Sequence, residues 1–212
     1  MAKKAKAKPS EDLSPSELVR GFFSRYLRHG KGEHAGMPFV LDDWQMQDII
    51  RPLFDTRRRD GLRRYRTCYV ECPRKQGKTT LAAGLAIYLL FADGEAGAEV
   101  VSAAADREQA SICLDIAKSM VLASPELASR CTVYRKEIVT SKGGRYRAIS
   151  AEAATKHGFN LSGIIFDELH CQPDRELWDT LVTACGARKQ PVTFAITTAG
   201  HDRESFCYEM HT

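Results

Sequence analysis

The strongest local signal in this 212-residue chain is the segment Cys72-Pro73-Arg74-Lys75-Gln76-Gly77-Lys78-Thr79-Thr80. An apolar stretch, 67–72, precedes it and an Ala- and Leu-rich stretch, 79–91, follows, which predicts a strand, a loop and a helix. In that context Gly77 would let the backbone approach a phosphate, Lys78 would reach the β- and γ-phosphates of a nucleotide, and Thr79 would hold Mg²⁺. The usual motif has glycine where Cys72 stands, so a basic turn before a helix is the alternative.

A second motif, Ile164-Ile165-Phe166-Asp167-Glu168, is an apolar run that ends in two acids. Because nucleotides bind at the carboxyl ends of parallel strands in open α/β sheets, we expect these acids to face the phosphate loop. Asp167 can hold Mg²⁺ through water, and Glu168 can orient and deprotonate an attacking water. The acids alone would fit a surface turn, but the two motifs together predict an ATPase site.

Three further features accompany this predicted site. Thr197-Thr198-Ala199-Gly200 ends an apolar strand, where a polar residue can sense the γ-phosphate; an ordinary strand-to-loop turn is the alternative. Trp44-Gln45 precedes the core, and a Gln amide can pair with adenine N6 and N7; a surface Gln beside a core Trp is the alternative. Either Arg74 or Lys75 can neutralise phosphate charge in the transition state, for which a guanidinium is better suited.

Apolar patterning predicts alternating strands and helices from residue 67 onward. The predicted strands are 67–72, 98–103, 163–166 and 192–197, the predicted helices are 79–91, 107–122 and 174–185, and 133–150 is predicted to be a hairpin. This alternation predicts a mainly parallel α/β sheet.

The part of the chain before the core is predicted to be helical. Ser14-Pro15-Ser16-Glu17 has the form of a capping box with proline at the first helical position, so a helix should follow. Asp42 would cap a second helix, which Pro52 would kink or end. The apolar face of the first helix is predicted to carry Leu18, Phe22, Phe23, Tyr26 and Leu27.

Composition excludes several classes of protein. The chain is 43% hydrophobic and 27% charged, which suits a globular domain and argues against a disulfide-rich mini-protein or a wholly disordered chain. The seven cysteines form no C-x-x-C pair and the six histidines lack ligand spacing, so we expect reduced thiols and no structural metal site. No stretch approaches the ~18 uncharged apolar residues of a membrane span.

The basic charge is concentrated in the first third of the chain. Residues 1–66 carry 15 Lys and Arg against 9 Asp and Glu, whereas the remainder carries 16 against 18. Six arginines lie within 57–66, where they could grip a phosphate backbone or form a solvated face. We expect a disordered basic tail at 1–13, a helical segment at 14–66 and an ATPase core at 67–212.

Four pieces of the sequence together resemble the ATPase domain of the large terminase subunit of tailed bacteriophages and prophages. The pieces are Trp44-Gln45, Pro73-Arg74-Lys75-Gln76-Gly77-Lys78-Thr79, Phe166-Asp167-Glu168-Leu169-His170 and Thr197-Thr198-Ala199-Gly200. Their order and spacing agree from about residue 35 to the end of the sequence, and a phosphate loop without its first glycine is normal in that family.

The resemblance implies a three-layer P-loop ATPase of the additional-strand, catalytic-glutamate type that uses ATP and Mg²⁺. It implies catalytic roles for Glu168, Arg74 and Lys78 and magnesium binding by Thr79 and Asp167. The implied coupling motif is Thr197, Thr198 and Ala199. The implied nucleotide-binding residues are Trp44, Gln45, Pro73, Arg74, Lys75, Gln76, Gly77, Lys78, Thr79 and Thr80.

Rings of this kind usually complete each site with a basic residue from the neighbouring subunit. Where related chains can carry an Arg-Gly pair, this sequence has Thr155-Lys156-His157-Gly158. Lys156 is therefore our first candidate for that residue, and Arg145 or Arg147 is the second. An ordinary exposed lysine is the alternative.

The resemblance also implies partners: double-stranded DNA, a portal protein, a small terminase subunit and further copies of the chain in a ring. Such a ring would work in the cytoplasm of the bacterial host, docked transiently on a procapsid and away from membranes. We see no room for a nuclease domain after Gly200, so we expect no DNA cutting. Two alternatives remain open, a helicase-like nucleic-acid remodelling ATPase and a non-catalytic module that binds DNA or a portal.

Overall fold

The computed structural model describes residues 13–30, 32–150, 154, 158–200 and 202–212. The strands are β1 Thr67–Glu71, β2 Glu99–Ala104, β3 Cys131–Val133, β4 Glu137–Thr140, β5 Arg145–Ser150, β6 Gly163–Phe166 and β7 Val192–Thr197. The helices are α1 Pro15–Tyr26, α2 Arg51–Asp55, α3 Lys78–Phe91, α4 Arg107–Leu122, α5 Pro125–Ala128, α6 Glu176–Thr183 and α7 Phe206–His211. A π-helical turn, Gln45–Ile50, runs directly into α2, and a 3₁₀ turn spans Leu169–Cys171.

The strands form one seven-stranded sheet in the order β1-β7-β6-β2-β5-β4-β3. The first five strands of that order are parallel, and β4 and β3 add antiparallel pairs at one edge. The predicted mainly parallel sheet is therefore confirmed, with the bounds of β6 and β7 as expected. The short elements β3, α5 and α7 were not predicted, and α6 is shorter than the predicted 174–185 because turns flank it.

Helices cover both faces of the sheet, which confirms the expected three-layer α/β fold. Successive residues of a strand point to opposite faces, so Ile165 joins the core under α1 to α4, whereas Ile164 and Phe166 join the core under α6 and α7. In the second core, the rings of Phe166 and Trp178 stack with centroids 4.9 Å apart.

Helix α1 begins as predicted, with the Ser14 hydroxyl accepting a hydrogen bond from the Glu17 N–H at 3.3 Å. The predicted apolar face was wrong at one position. Leu18 is 51% exposed, whereas Val19 is fully buried. The buried stripe of α1 runs through Val19, Phe22 and Phe23, and this i, i+3, i+4 spacing leaves Leu18 at its margin.

A glycine in the middle of α3 lets α1 approach closely. A Cβ atom on Gly84 would lie 2.6 Å from the Phe23 ring and 3.0 Å from Leu27 Cδ1, both of them fully buried side chains. Glycine lowers helix propensity by about 1 kcal/mol relative to alanine, so its presence here has a packing reason. The first helix is in this way fitted to the core of the domain.

The second helical stretch starts near Asp42, as predicted, but the capping bond comes from another side chain. Gln45 Oε1 accepts from the Asp42 backbone N–H at 3.0 Å, the reciprocal half of a capping box. Pro52 does not end the helix at its own position. It lies in the first turn of α2, after a π-type bond from the Arg51 N–H to the Met46 carbonyl, where a missing N–H is tolerated.

Residues 56–66, named here the arginine hairpin, fold back on themselves through a bridge between Arg57 and Arg63. Arg63 is only 2% exposed and pairs with Asp93 at 2.6 Å. Its guanidinium also donates to the Gln190 carbonyl at 2.7 Å and stacks over the Phe54 ring at 4.7 Å. Arg63 is therefore part of the protein interior, and both sequence interpretations of the arginine run were wrong for this residue.

The described part of the chain also shows the state of the cysteines and the lengths of the helices. All seven cysteines are described, and each is a free thiol. No helix in the described ranges has the length and apolarity that a membrane crossing requires.

Candidate active site

The phosphate loop connects β1 to α3 at the carboxyl edge of the parallel strands. Lys75 and Gly77 have left-handed backbone conformations, with φ of 67° and 70°, and they lie on either side of Gln76. Left-handed residues in such a turn direct successive N–H groups towards one side, which makes an anion-binding concavity. Gly77 is also the N-cap of α3, so the positive end of that helix faces the same space.

The backbone donors of this loop are free. The N–H groups of residues 74–80 find no hydrogen-bond acceptor among the groups that the structure describes. The first bond of the helix joins the Leu81 N–H to the Gly77 carbonyl at 2.9 Å, which leaves the preceding donors available. Phosphate groups are bound in this way at helix N-termini, so the loop is suited to a polyphosphate.

Lys78 is the first residue of α3 and is only 7% exposed. Its Nζ atom donates to the carbonyls of Cys72 and Pro73 at 3.3 and 3.5 Å. These are long bonds for an ammonium group, and a phosphate oxygen would be a stronger acceptor because the bond would be assisted by both charges. Lys78 is therefore held beside the loop with weak partners.

Asp167 follows the last residue of β6 and is 2% exposed. Burial raises the pKa of its carboxyl to about 6, against the opposing effect of the Thr79 hydroxyl. Its Oδ1 atom is buried and has no hydrogen-bond partner within the described ranges. An unpaired buried carboxylate oxygen calls for a cation or a donor.

The pair of Thr79 and Asp167 fits a magnesium ion. A hydroxyl and a carboxylate are the hard oxygen ligands that Mg²⁺ prefers, and this ion is usually held by one or two protein ligands together with phosphate oxygens and waters. In the described part of the chain, no group of three or more His, Cys, Asp or Glu side chains could hold a metal. The donor set thus suits a magnesium–phosphate complex and not an all-protein metal cage.

Glu168 has an unusual backbone conformation for a residue with a side chain. Its φ and ψ are 50° and 56°, in the left-handed region, which costs on the order of 1 kcal/mol or more. Its Oε2 atom is buried and forms no hydrogen bond with any described group, and His170 Nδ1 lies 3.4 Å away. Glu168 lines the same cleft as the phosphate loop.

The end of β7 is bonded to the turn that follows Glu168. Thr197 is fully buried, and its hydroxyl oxygen accepts from the His170 backbone N–H at 3.1 Å and lies 2.9 Å from His170 Nδ1. The Thr197 carbonyl accepts from the Cys72 N–H at 3.2 Å. One residue of the predicted coupling motif therefore touches the phosphate loop on one side and the acidic motif on the other.

Eight of the predicted site residues line a single cleft of about 450 Å³. The predicted residues that line it are Arg74, Lys75, Gly77, Lys78, Thr79, Thr80, Asp167 and Glu168. Pro73 and Gln76 belong to the loop but do not line the cleft. Thr197 and Thr198, at the end of the neighbouring strand β7, do not line it either. Ala199 lies instead at a second cleft of about 330 Å³, beside Glu71 and His211.

Trp44 and Gln45 do not line the cleft. Gln45 is 3% exposed and its amide oxygen caps the helix start at Asp42, while Trp44 packs against the core. An adenine contact through Gln45 stays a prediction.

Two candidates for a residue acting on a neighbouring subunit, Arg145 and Arg147, do not line this cleft. Arg145 pairs with Glu137 at 3.4 Å, and Arg147 pairs with Glu99 at 3.7 Å and stacks over the Phe159 ring at 4.8 Å. Lys156 lies outside the described residues.

Sequence reasoning missed several residues that line the cleft, among them Asp106, Gln109, His170 and Cys171. Asp106 caps α4 by accepting from the Gln109 N–H at 2.8 Å. These residues follow the carboxyl ends of β2 and β6, which are neighbours in the sheet. Asp106 could be found only from the strand order, which the sequence does not give. His170 could have been found from its position, three residues after Asp167.

Comparison with known proteins gives one consistent family. A family model described as the terminase large subunit, ATPase domain, matches residues 43–212. The large terminase subunit of Enterobacteria phage HK97 is 30% identical over 192 residues, which cover 88% of this chain and 37% of the relative. The chain thus spans little more than a third of the length of that relative.

Solved structures give the same picture. The crystal structure of the HK97 bacteriophage large terminase superposes with a TM-score of 0.79 at 27% identity, over 92% of this chain and 40% of that one. The ATPase domain of the Thermus phage P74-26 large terminase matches with a TM-score of 0.55 at 19% identity, over 77% of this chain and 72% of that one. The second likeness concerns the fold alone.

Proposed function

This chain belongs to the family of terminase large-subunit ATPase domains, and from that premise we propose that it hydrolyses ATP to ADP and phosphate to drive double-stranded DNA into a procapsid. The observation that carries the proposal is a single cleft lined by the phosphate loop, whose N–H groups at residues 74–80 have no acceptor among the described groups, and by Asp167 and Glu168, each with one carboxylate oxygen that forms no hydrogen bond with a described group. Donors for the phosphates and acids for the metal and the water thus line the same cleft.

Each group of residues that lines the cleft has a defined role in the proposed reaction. The loop N–H groups and the buried Lys78 bind the β- and γ-phosphates, and Arg74 stabilises the charge that develops on the transferring group. Glu168 orients a water for attack on phosphorus and accepts its proton. The free Oε2 atom supports this role because no described group competes for that oxygen through a hydrogen bond.

Magnesium would be held by Thr79 and Asp167, and when bound it would neutralise charge on the phosphate oxygens. The raised pKa of Asp167 supports this assignment, since a carboxylate buried without a cation is destabilised in its ionised form.

Replacement of the proposed base tests the function directly. Glu168→Gln should abolish ATP turnover while leaving ATP binding within about threefold of wild type, because the amide keeps the shape and loses the basicity. Glu33→Gln is the matched control, since Glu33 is an exposed glutamate in the loop before Phe39 and lies outside the cleft. Hydrolysis at the normal rate by Glu168→Gln would show that the assignment is wrong.

Turnover should also depend on assembly if the chain works as a ring on a portal. Arg74, Lys75 and Lys78 are the Lys and Arg side chains that line the cleft among the described residues, so a neighbour can supply a further one. The specific activity should rise steeply with protein concentration. An activity per subunit that is zero at every concentration would favour the non-catalytic binding module, and directional unwinding of duplex DNA would favour the helicase-like alternative.

The arginine hairpin is the surface that we propose for DNA. Arg63 anchors it to Asp93 and Gln190, so the exposed Arg58, Arg59 and Arg64 project from a fixed support. Exposed guanidinium groups on an anchored hairpin suit a phosphate backbone, since little loop ordering is needed on binding. Arg58 also pairs with Asp60 within the hairpin. We also propose a portal protein and a small terminase subunit as partners and the host cytoplasm as the location. These three proposals rest on family membership alone.

A further inference from the structure

The ring of His170 lies between two oxygen atoms from different motifs. Its Nδ1 atom is 2.9 Å from Thr197 Oγ1, at the end of β7, and 3.4 Å from Glu168 Oε2. His170 belongs to the 3₁₀ turn directly after Glu168, and its backbone N–H is already fixed to Thr197 at 3.1 Å. A small rotation of the ring therefore changes which oxygen Nδ1 faces, without movement of the turn.

The contacts around Thr197 are satisfied when Nδ1 is the protonated ring nitrogen, and we assign the ring proton there. The Thr197 hydroxyl has one proton, which it donates to the Thr198 carbonyl at 2.9 Å. Its oxygen is therefore an acceptor towards His170, both from the backbone N–H and from Nδ1. In the neutral ring Nε2 is then an acceptor, and the Cys171 thiol lies 3.4 Å from it.

The Nδ1–H group of His170 is the donor nearest to Glu168 Oε2 in the contacts described above, and it is bonded to Thr197. This oxygen is buried and has no hydrogen-bond partner among described groups, whereas the N–H of His170 closest to it is engaged with Thr197. One N–H group cannot form a short, well-aligned bond to both acceptors at once, so the two oxygens compete for it. A buried carboxylate oxygen without a donor is held in a less defined position.

We propose that His170 is a positioning residue for the hydrolytic step. Its Nδ1–H, which lies on Thr197 in the structure, turns to Glu168 Oε2 for the hydrolytic step and fixes the carboxylate for proton transfer from water. A backbone bond provides the trigger: the Thr197 carbonyl accepts from the Cys72 N–H at 3.2 Å, so movement of the phosphate loop is passed to the strand that holds Thr197. This proposal rests on the function proposed above.

Two substitutions at this position separate positioning from packing. His170→Phe keeps a ring of similar shape and removes the donor, so kcat for ATP should fall on the order of 10- to 100-fold while KM and the Kd for ATP change less than about threefold. His170→Asn returns an amide donor near the position of Nδ1 and should restore most of the activity. His34→Phe, at an exposed histidine in the loop after α1, is the matched control.

A loss of activity in His170→Asn as large as in His170→Phe, or an unchanged kcat in both, would overturn the role of His170. Should His170→Phe fail to fold, ¹⁵N NMR of the wild-type imidazole gives the answer. A protonated Nδ1 whose shift moves on addition of a magnesium–ATP analogue that is not hydrolysed supports the proposal, and an unmoved signal contradicts it. If the wild type shows no turnover at any protein concentration, the proposed function fails. If the wild type hydrolyses ATP and both His170 variants have the same kcat as the wild type, only the positioning role fails.

Discussion

The hydroxyl oxygen of Thr197 lies 2.9 Å from His170 Nδ1 and accepts the His170 backbone N–H at 3.1 Å, which ties the end of β7 to the turn after the acidic motif. Through its carbonyl, Thr197 is also bonded to Cys72 at the start of the phosphate loop. Three motifs that are far apart in the sequence are thus linked through one threonine.

Loss of the Thr197 hydroxyl should damage both stability and turnover. Thr197→Val keeps the shape of the side chain but leaves the buried His170 N–H without an acceptor, at a cost of about 1–3 kcal/mol. We expect a lower Tm, reduced kcat and retained ATP binding, whereas Thr197→Ser should stay close to wild type in all three. Thermal unfolding and steady-state kinetics measure these quantities. A Thr197→Val protein as stable and active as the serine variant would contradict the linkage.

The buried ion pair of Arg63 and Asp93 should be essential for the fold, although Arg63 lies in a run of apparently equivalent arginines. Burial raises the pKa of Asp93 while Arg63 opposes the rise, so removing the guanidinium leaves a buried carboxylate without its counter-ion. Arg63→Met should lower the free energy of unfolding by about 3–5 kcal/mol, as measured by urea denaturation.

Two further variants control that measurement. Arg59→Met removes an exposed arginine of the same hairpin and should change stability by less than about 0.5 kcal/mol. Arg63→Met combined with Asp93→Asn should recover part of the loss, because the amide needs no counter-ion. Equal losses from Arg59→Met and Arg63→Met would mean that the pair has no special role in stability.

Some features of the fold and the site could be predicted from the sequence, and the burial of Arg63 could not. The phosphate loop and the acidic motif were found because their residue types follow predicted strands directly, and the bounds of β6 and β7 followed from continuous apolar runs between turn residues. The burial of Arg63 depends on Asp93 and Gln190, which are distant in sequence, and six arginines in ten residues carry no sign of which one is inside.

The contact between His170 and Thr197 could not be predicted for a related reason. It exists because β7 lies beside β6 in the sheet, so the residues after both strands meet at one edge. A chain of alternating strands and helices allows several strand orders, and each would place a different residue next to His170. The small rotation of the buried face of α1, which exposes Leu18, likewise depends on how Phe23 packs on Gly84.

Stability of the nucleotide-free chain should depend on pH through Asp167. Burial raises the pKa of this carboxyl from 3.8 to about 6, so between these values the folded chain keeps a proton that the unfolded chain has released. The contribution of this group to stability is therefore full below about pH 4 and is lost as the pH rises through about 6. The cost of the ionised form at pH 8 is about 3 kcal/mol at most, at ~1.4 kcal/mol for each pKa unit.

Asp167→Asn removes that ionisation and should raise the Tm by several degrees at pH 8 relative to wild type, with no advantage at pH 4. Differential scanning calorimetry without nucleotide or Mg²⁺ measures both conditions. Asp43→Asn, at an exposed aspartate ahead of the π-helical turn, serves as the control and should leave the Tm difference near zero at both pH values. The same Tm shift for Asp167→Asn at pH 4 and pH 8 would show that packing, and not ionisation, is responsible.

The arginine hairpin should contribute to DNA binding in proportion to its exposed charges. A triple replacement of Arg58, Arg59 and Arg64 by Gln spares the buried Arg63, so the hairpin should stay folded. If each side chain neutralises one phosphate of duplex DNA, the slope of log K against log salt concentration should become less steep by about 2.7. Fluorescence anisotropy with a labelled duplex over a salt series measures this slope.

The chain offers a control with the same change in net charge. Arg135, Lys136 and Lys142 are exposed in and beside the β4–β5 region, away from the arginine hairpin, and their triple replacement by Gln should leave the slope nearly unchanged. Because non-specific attraction responds to total charge while a binding surface responds to position, the two triple variants separate these causes. Equal reductions of the slope in both would mean that the DNA-binding surface is not centred on the hairpin, even if ATP hydrolysis is intact.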